Sequence, residues 1–135
     1  EHVSDVYVAA YGESLEEAFE NVALAMFEAM TDVKLVEDIV HEEVVVEGED
    51  EEALLYNWLE MLLIRFEVDG MLFSEFKVKK ISKLNGGLRL EATVFGEMYD
   101  AEKHTSKVGI KAVTYHMMEI RKENRQVTVK VLLDI

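Results

Sequence analysis

Two stretches of this chain repeat apolar side chains at helical spacing, and each follows a run that reads as a β-strand. Leu15, Phe19, Val22, Met26 and Met30, joined by Ala18 and Ala23, line one face of a helix over about 14–31. Glu16, Glu20 and Glu28 fall toward solvent. Ser14 is an N-cap residue, and Glu17 three positions on completes a capping box. The second helix starts at the cap Asp50, whose followers Glu51 and Glu52 suit the positive end of a helix dipole. Its stripe of Leu54, Trp58, Met61, Leu62 and Phe66 is widened by Leu55, Leu59 and Leu63 and stopped by Gly70. An apolar face that wide implies burial against a sheet, or partly against another protein.

The rest is strand-like. Val3 to Tyr11 alternates apolar and other residues and ends at Gly12. Ile39 to Glu47, centred on Val44-Val45-Val46, ends at Gly48. Phe73 to Leu84 and Leu88 to Gly96 flank Asn85-Gly86-Gly87, a strong hairpin signal. Tyr99 to Thr105 is a polar connection with room for a helical turn. Gly109 to Met117 and Glu119 to Lys122 read as strands, then a turn at Glu123-Asn124-Arg125 leads into a last strand, Val127 to Leu133. Two long helices with six or seven strands predict an α+β two-layer sandwich, the helices packed on one face of a mixed, largely antiparallel sheet. With no proline, no low-complexity segment and no repeat, residues 1–135 read as one domain.

The net charge is -14, from 28 acidic and 14 basic residues. That balance argues against direct nucleic-acid binding, which needs a basic surface, and favours basic partners or cations. No run of about 18 apolar residues is present to span a membrane. Glu1-His2-Val3-Ser4-Asp5 lacks the blocks of a signal peptide, and the absence of cysteine removes disulfides and thiolate metal sites. A reducing cytoplasm is the expected location.

The ending Leu132-Leu133-Asp134-Ile135 places two carboxylates side by side, the Asp134 side chain and the α-carboxylate of Ile135. A strand holding Val127 to Leu133 would fix both, and fixed clustered oxygens suit a hard divalent cation. Asp5, acidic within an otherwise apolar strand, either lies on an exposed face or has a partner, and a cation shared with Asp134 would be one. His2 is three positions from Asp5, on the opposite face of a regular strand. Among the other histidines, His41 reads as a surface residue and His116 as structural, while His104 follows Lys103 on a polar connection of the kind that often carries function. No nucleophile elbow, P-loop, His-Glu-x-x-His or Cys-His pair appears.

Several segments, taken together and in order, resemble the archease family over nearly the whole chain. They are Glu1-His2-Val3-Ser4-Asp5, Tyr11-Gly12-Glu13-Ser14-Leu15-Glu16-Glu17-Ala18-Phe19, Glu47-Gly48-Glu49-Asp50 with Leu54-Leu55, Lys103-His104, Lys111-Ala112-Val113-Thr114-Tyr115-His116-Met117, and Leu133-Asp134-Ile135. The chain departs from the family pattern at Val3 and Ser4, at the proline-free Thr105-Ser106-Lys107, and at Gly109, where an acidic residue is common.

The resemblance implies a non-catalytic partner of the tRNA-splicing RNA ligase. That ligase joins 2′,3′-cyclic-phosphate or 3′-phosphate ends to 5′-hydroxyl ends, using GTP, divalent metal and a guanylylated histidine. Members of the family promote the guanylylation and repeated turnover. They are also described as chaperone-like and as binding a metal ion, often calcium, with magnesium or manganese as alternatives. Carried over, the metal ligands are Asp5, Asp134 and the Ile135 carboxylate. Partner contacts fall on His2, Lys103, His104, Lys111, Thr114, Tyr115 and His116. The competing readings are a general chaperone with an apolar groove near the second helix and, more remotely, a metal-dependent hydrolase.

Overall fold

A computed structural model describes residues 5–135. Its elements, in order, are β1 (Asp5–Gly12), α1 (Leu15–Met30), a 3-10 turn (Val33–Leu35), β2 (Val40–Gly48), α2 (Glu51–Asp69), β3 (Met71–Leu84), β4 (Gly87–Met98), β5 (Ala112–Val113), β6 (Glu119–Glu123) and β7 (Gln126–Asp134). Both helices begin where their capping residues sit. Ser14 Oγ accepts from the Glu17 N–H at 3.1 Å, while Glu17 reaches back to the Glu13 N–H. Asp50 accepts from the Ala53 N–H at 2.8 Å. Such caps each contribute about 1 kcal/mol. Gly70 ends α2 in the left-handed region at φ 72°, donating to the Arg65 and Phe66 carbonyls.

The fold is an α+β sandwich of helices on β-structure. Its strands divide into two antiparallel sheets. One runs β2-β4-β3; in the other β7 is central, with β1 along one edge and β5 and β6 in succession along the other. Each helix packs on strands of both sheets, α1 on β1, β7 and β3, and α2 on β2, β3, β4, β5 and β6. The core forms where they meet. Trp58 is fully buried and donates its indole N–H to the Phe19 carbonyl at 3.0 Å. Phe27 packs edge-on against Phe73, with ring centroids 5.8 Å apart, and Phe76 lies between Phe27 and Trp58.

The predicted strand Gly109 to Met117 is the one element that the structure reduces, to the two residues of β5. Its flanking N–H groups bond elsewhere. Lys107 N–H donates to Met30 O at 2.9 Å and Val108 N–H to Ala29 O at 3.2 Å, so the segment caps the last carbonyls of α1 instead of pairing as a strand. Beyond β5 the chain turns at Tyr115, where Met118 N–H returns to the Tyr115 carbonyl and Met117 adopts φ 59°.

The two-residue β6–β7 turn places Asn124 and Arg125 at φ 49° and 64°. Asparagine tolerates that region; arginine carries a Cβ penalty there. Arg125→Gly is expected to stabilise the fold by about 0.5–1 kcal/mol, read as a rise in urea midpoint.

Candidate functional site

The register of β1 on β7 sets Asp5 directly opposite Asp134. Side chains opposite each other on an antiparallel pair share a face, with Cβ atoms roughly 4.5–5.5 Å apart. Like charges in that position repel. Among the described residues neither carboxylate has an ion-pair partner. Asp5 is exposed, Asp134 half-buried, and Ile135 packs part of its side chain on the core beside them. On the far edge of β7, Lys111 N–H donates to the Asp134 carbonyl at 2.7 Å, and Thr114 Oγ donates to Leu132 O at 2.8 Å. Lys111 and Thr114 thereby strap the strand end that carries Asp134.

Two opposed carboxylates with no ion-pair partner among the described residues fit a hard cation with oxygen ligands, and the pair holds no sulfur to favour a soft one. Among the described residues no group of three or more His, Cys, Asp or Glu side chains is placed to hold a metal. A cation at this pair would take its remaining oxygens from backbone or water.

The other sequence-predicted residues divide into two places. Lys103 and His104 belong to a cluster built on Glu97, at the end of β4. Glu97 Oε2 accepts from the Glu37 N–H at 2.7 Å and pairs with Lys103 Nζ at 2.8 Å. It also lies 3.0 Å from Nε2 of His104, whose side chain is fully buried. Asp100 N–H donates to His104 Nδ1 at 2.9 Å. That bond makes Nδ1 an acceptor, so the ring proton sits on Nε2 and points at Glu97. Lys103 also bonds Glu37 Oε1 at 2.6 Å. Burial works to raise the Glu97 pKa, but the Glu37 N–H, Lys103 and His104 outweigh it and hold the carboxyl down at about 2. This is a structural hub, and neither Glu97 nor Glu37 was identifiable from the sequence.

Tyr115 and His116 are exposed on the turn after β5. Tyr115 stacks on Tyr56 of α2 with centroids 4.4 Å apart and planes 4° from parallel. His2 lies outside the described residues. His41 is exposed, as its sequence position suggests, with Nε2 2.8 Å from the Asp38 carbonyl.

The segment between β4 and β5 links these places. It bonds in turn to Gly70 at the end of α2 (Tyr99 N–H to Gly70 O, 2.7 Å), to the end of α1 and to the end of β7. The Glu97 hub, both helix C-termini and the Asp5–Asp134 pair therefore lie along one end of the sandwich.

A family model described as the archease protein family (MTH1598/TM1083) matches residues 1–135. The chain belongs to the archease family. The archease of Pyrococcus abyssi is 49% identical over 122 residues, covering 90% of this chain and 85% of the relative. That of Sulfurisphaera tokodaii is 42% identical over 135 residues, covering 100% and 95%. The solution structure of protein 1598 of Methanobacterium thermoautotrophicum superposes with a TM-score of 0.83 at 43% identity, covering 100% of this chain and 95% of that one. A crystal structure from Thermotoga maritima, described as an archease and possible chaperone, shares the archease fold with a TM-score of 0.64 at 20% identity, covering 100% and 94%. No described helix is long and apolar enough to cross a membrane.

Proposed function

We propose that the protein activates a partner enzyme, the GTP- and metal-dependent tRNA-splicing RNA ligase, promoting its guanylylation and multiple turnover without forming or breaking bonds itself. The reading rests on membership of the archease family together with one observation, the facing Asp5–Asp134 pair, which has no ion-pair partner among the described residues. In this reading Asp5, Asp134 and the α-carboxylate of Ile135 hold a divalent ion, calcium first, with magnesium or manganese as alternatives. The surface around Lys111, Thr114, Tyr115 and His116 meets the ligase, with His2 and Lys103 as further contacts, while the buried His104 acts only through Glu97, which holds Lys103. An acidic protein of net charge -14 is drawn to a basic RNA-binding cleft, which speeds encounter. An activator need only favour the reactive state of its partner over the resting one.

The test is guanylylation of the ligase from the same organism, with and without this protein, alongside calcium binding by calorimetry. Stimulation by the wild type is expected. Asp134→Asn should weaken calcium binding at least tenfold and lower stimulation, with the thermal transition retained; a few residues added after Ile135 should act alike. Unchanged calcium affinity in Asp134→Asn removes the metal site, and no stimulation by the wild type removes the function.

A second reading, a general chaperone, draws on an exposed apolar cluster. Ile39 and Met98 are 66% and 57% exposed, and with Val40 and Tyr99 they line a cleft. Suppression of aggregation across unrelated clients, without ligase stimulation, selects it.

A further inference from the structure

The turn after β5 carries an aromatic surface that neither the metal pair nor the Glu97 hub uses. Tyr115 is 54% exposed although one face of its ring is covered by Tyr56. Its outer face is therefore open. The turn that presents it is held from both sides. Thr114 bonds Leu132 O, and Tyr7 Oη donates to Met117 O at 2.7 Å across from β1. Met117, itself 56% exposed, accepts a left-handed backbone to make the turn. An exposed apolar surface set on a constrained turn marks an interaction site more often than an exposed side chain on a regular strand does.

The chemistry at its edge selects the occupant. Tyr56 donates its hydroxyl to Glu60 Oε2 at 2.9 Å, which fixes a carboxylate beside the stack and leaves Oε1 to accept. Glu60 has no ion pair among the described residues, and neither have Glu49 and Glu52; the nearby Lys122 is held by Glu51 at 2.6 Å. Burial, then the charges of Asp50, Glu49, Glu60 and Glu52, raise the Tyr115 hydroxyl above its usual range. The open face of Tyr115, set among Asp50, Glu49, Glu60 and Glu52, suits a flat cation that stacks on the ring. Guanidinium is planar and stacks face to face on such a ring, which a tetrahedral ammonium cannot do.

We propose that the Tyr115–Tyr56 stack, within its ring of carboxylates that includes Glu60, forms a receptor for an arginine side chain of the protein partner. The inference rests on the proposed function in one respect only, that the turn after β5 faces the partner. Arginine insertion adds a directional anchor to the long-range attraction of the acidic surface, and anchors of this kind dominate interface energies.

The experiment is a titration of the isotope-labelled full chain, without ligase, using the peptide Gly-Arg-Gly-Arg-Gly and its lysine and citrulline analogues, read by amide chemical shifts. Shifts confined to Tyr56, Glu60 and the turn 114–118 are expected, with affinity at least fivefold lower for the lysine peptide and no response to citrulline. Tyr115→Ala should weaken binding at least tenfold. Glu60→Gln, which leaves the stack in place, should weaken it at least fivefold. Shifts spread over acidic residues at large, equal responses to arginine and lysine, or affinity unchanged in both variants overturn the receptor. Ligase stimulation is measured separately, so a receptor that fails while stimulation persists leaves the function standing, and the reverse result removes the function alone.

Discussion

Gly96→Ala is expected to abolish folding of this chain, or to destabilise it by more than ~4 kcal/mol, measured by urea unfolding and by the soluble fraction on expression. Gly96 lies in β4, the central strand of its sheet, opposite Val40 on one side and Phe73 on the other. The ladder with β3 slips between Phe73 and Glu75. A bulge of this kind bends one strand toward its neighbour's backbone, and glycine is what permits the approach. A Cβ on residue 96 would sit 1.8 Å from the Leu72 carbonyl oxygen and 2.8 Å from both the Leu72 carbonyl carbon and Phe73 Cα. All three are backbone atoms of a paired strand. They cannot rotate away as a side chain would, so relief requires parting β3 from β4. Leu72 and Phe73 are buried in the core, so parting the strands also opens the packing around Phe27. Gly109→Ala is the control. No atom lies within 4 Å of a Cβ there, and a change within about 0.5 kcal/mol is expected. A Gly96→Ala protein with wild-type stability would show that the bulge can relax, and that the close approach is incidental.

The parts of the fold that were legible in the sequence are those whose signals are local. Ser14, Glu17, Asp50 and Gly70 mark helix ends through bonds to residues only three to five positions away, and the apolar period of Leu15 to Met30 survives intact as the buried face of α1. The Asn85-Gly86 hairpin is equally local, joining Leu84 to Gly87 with Gly86 at φ 84°. Division of the strands into two sheets was not legible, because alternation reports that a strand has a buried face and not which strand lies beside it. In the segment from Tyr99 to Met118, the part from Gly109 to Met117 reads as strand. Its polarity and β-branched residues allow that, but its backbone bonds go to α1, α2 and β7, far away in sequence.

The candidate site divides along the same line. An acidic residue near each end of the chain was visible, and their meeting depends on the antiparallel register of β1 with β7, which no local signal encodes. Tyr56 and Glu60 read as ordinary positions of an amphipathic helix until Tyr115 is placed against them. Glu97 gave no signal at all, being one acidic residue at the end of a strand. Its meaning depends on Lys103 and His104, six and seven residues on, and on the Glu37 amide, sixty residues back.

That hub carries the second large effect. Glu97→Ala is expected to cost about 2–4 kcal/mol, since it leaves the Glu37 N–H and the buried His104 Nε2–H without their acceptor and frees Lys103 from one of its two carboxylates. The size of the effect follows from burial, because the Glu97 side chain is only 11% exposed and that of His104 not at all. Glu97→Gln keeps the shape and one acceptor oxygen but loses the charge, so it isolates the electrostatic part. The folded state holds the Glu97 carboxyl down at about 2, against 4.5 for an ordinary glutamate. A depressed pKa means that the folded protein binds this proton less readily than the unfolded chain does. The stabilisation is therefore complete above pH 4.5 and is lost as the pH falls toward 2. Thermal melts across that range should show the gap between wild type and Glu97→Gln widest near neutrality and closing in acid. A gap that stays constant down to the lowest pH would mean that the carboxylate contributes shape and not charge. His104 would then be held by packing and by its bond from the Asp100 amide, and the end of β4 would be positioned without any contribution from the ion pair with Lys103.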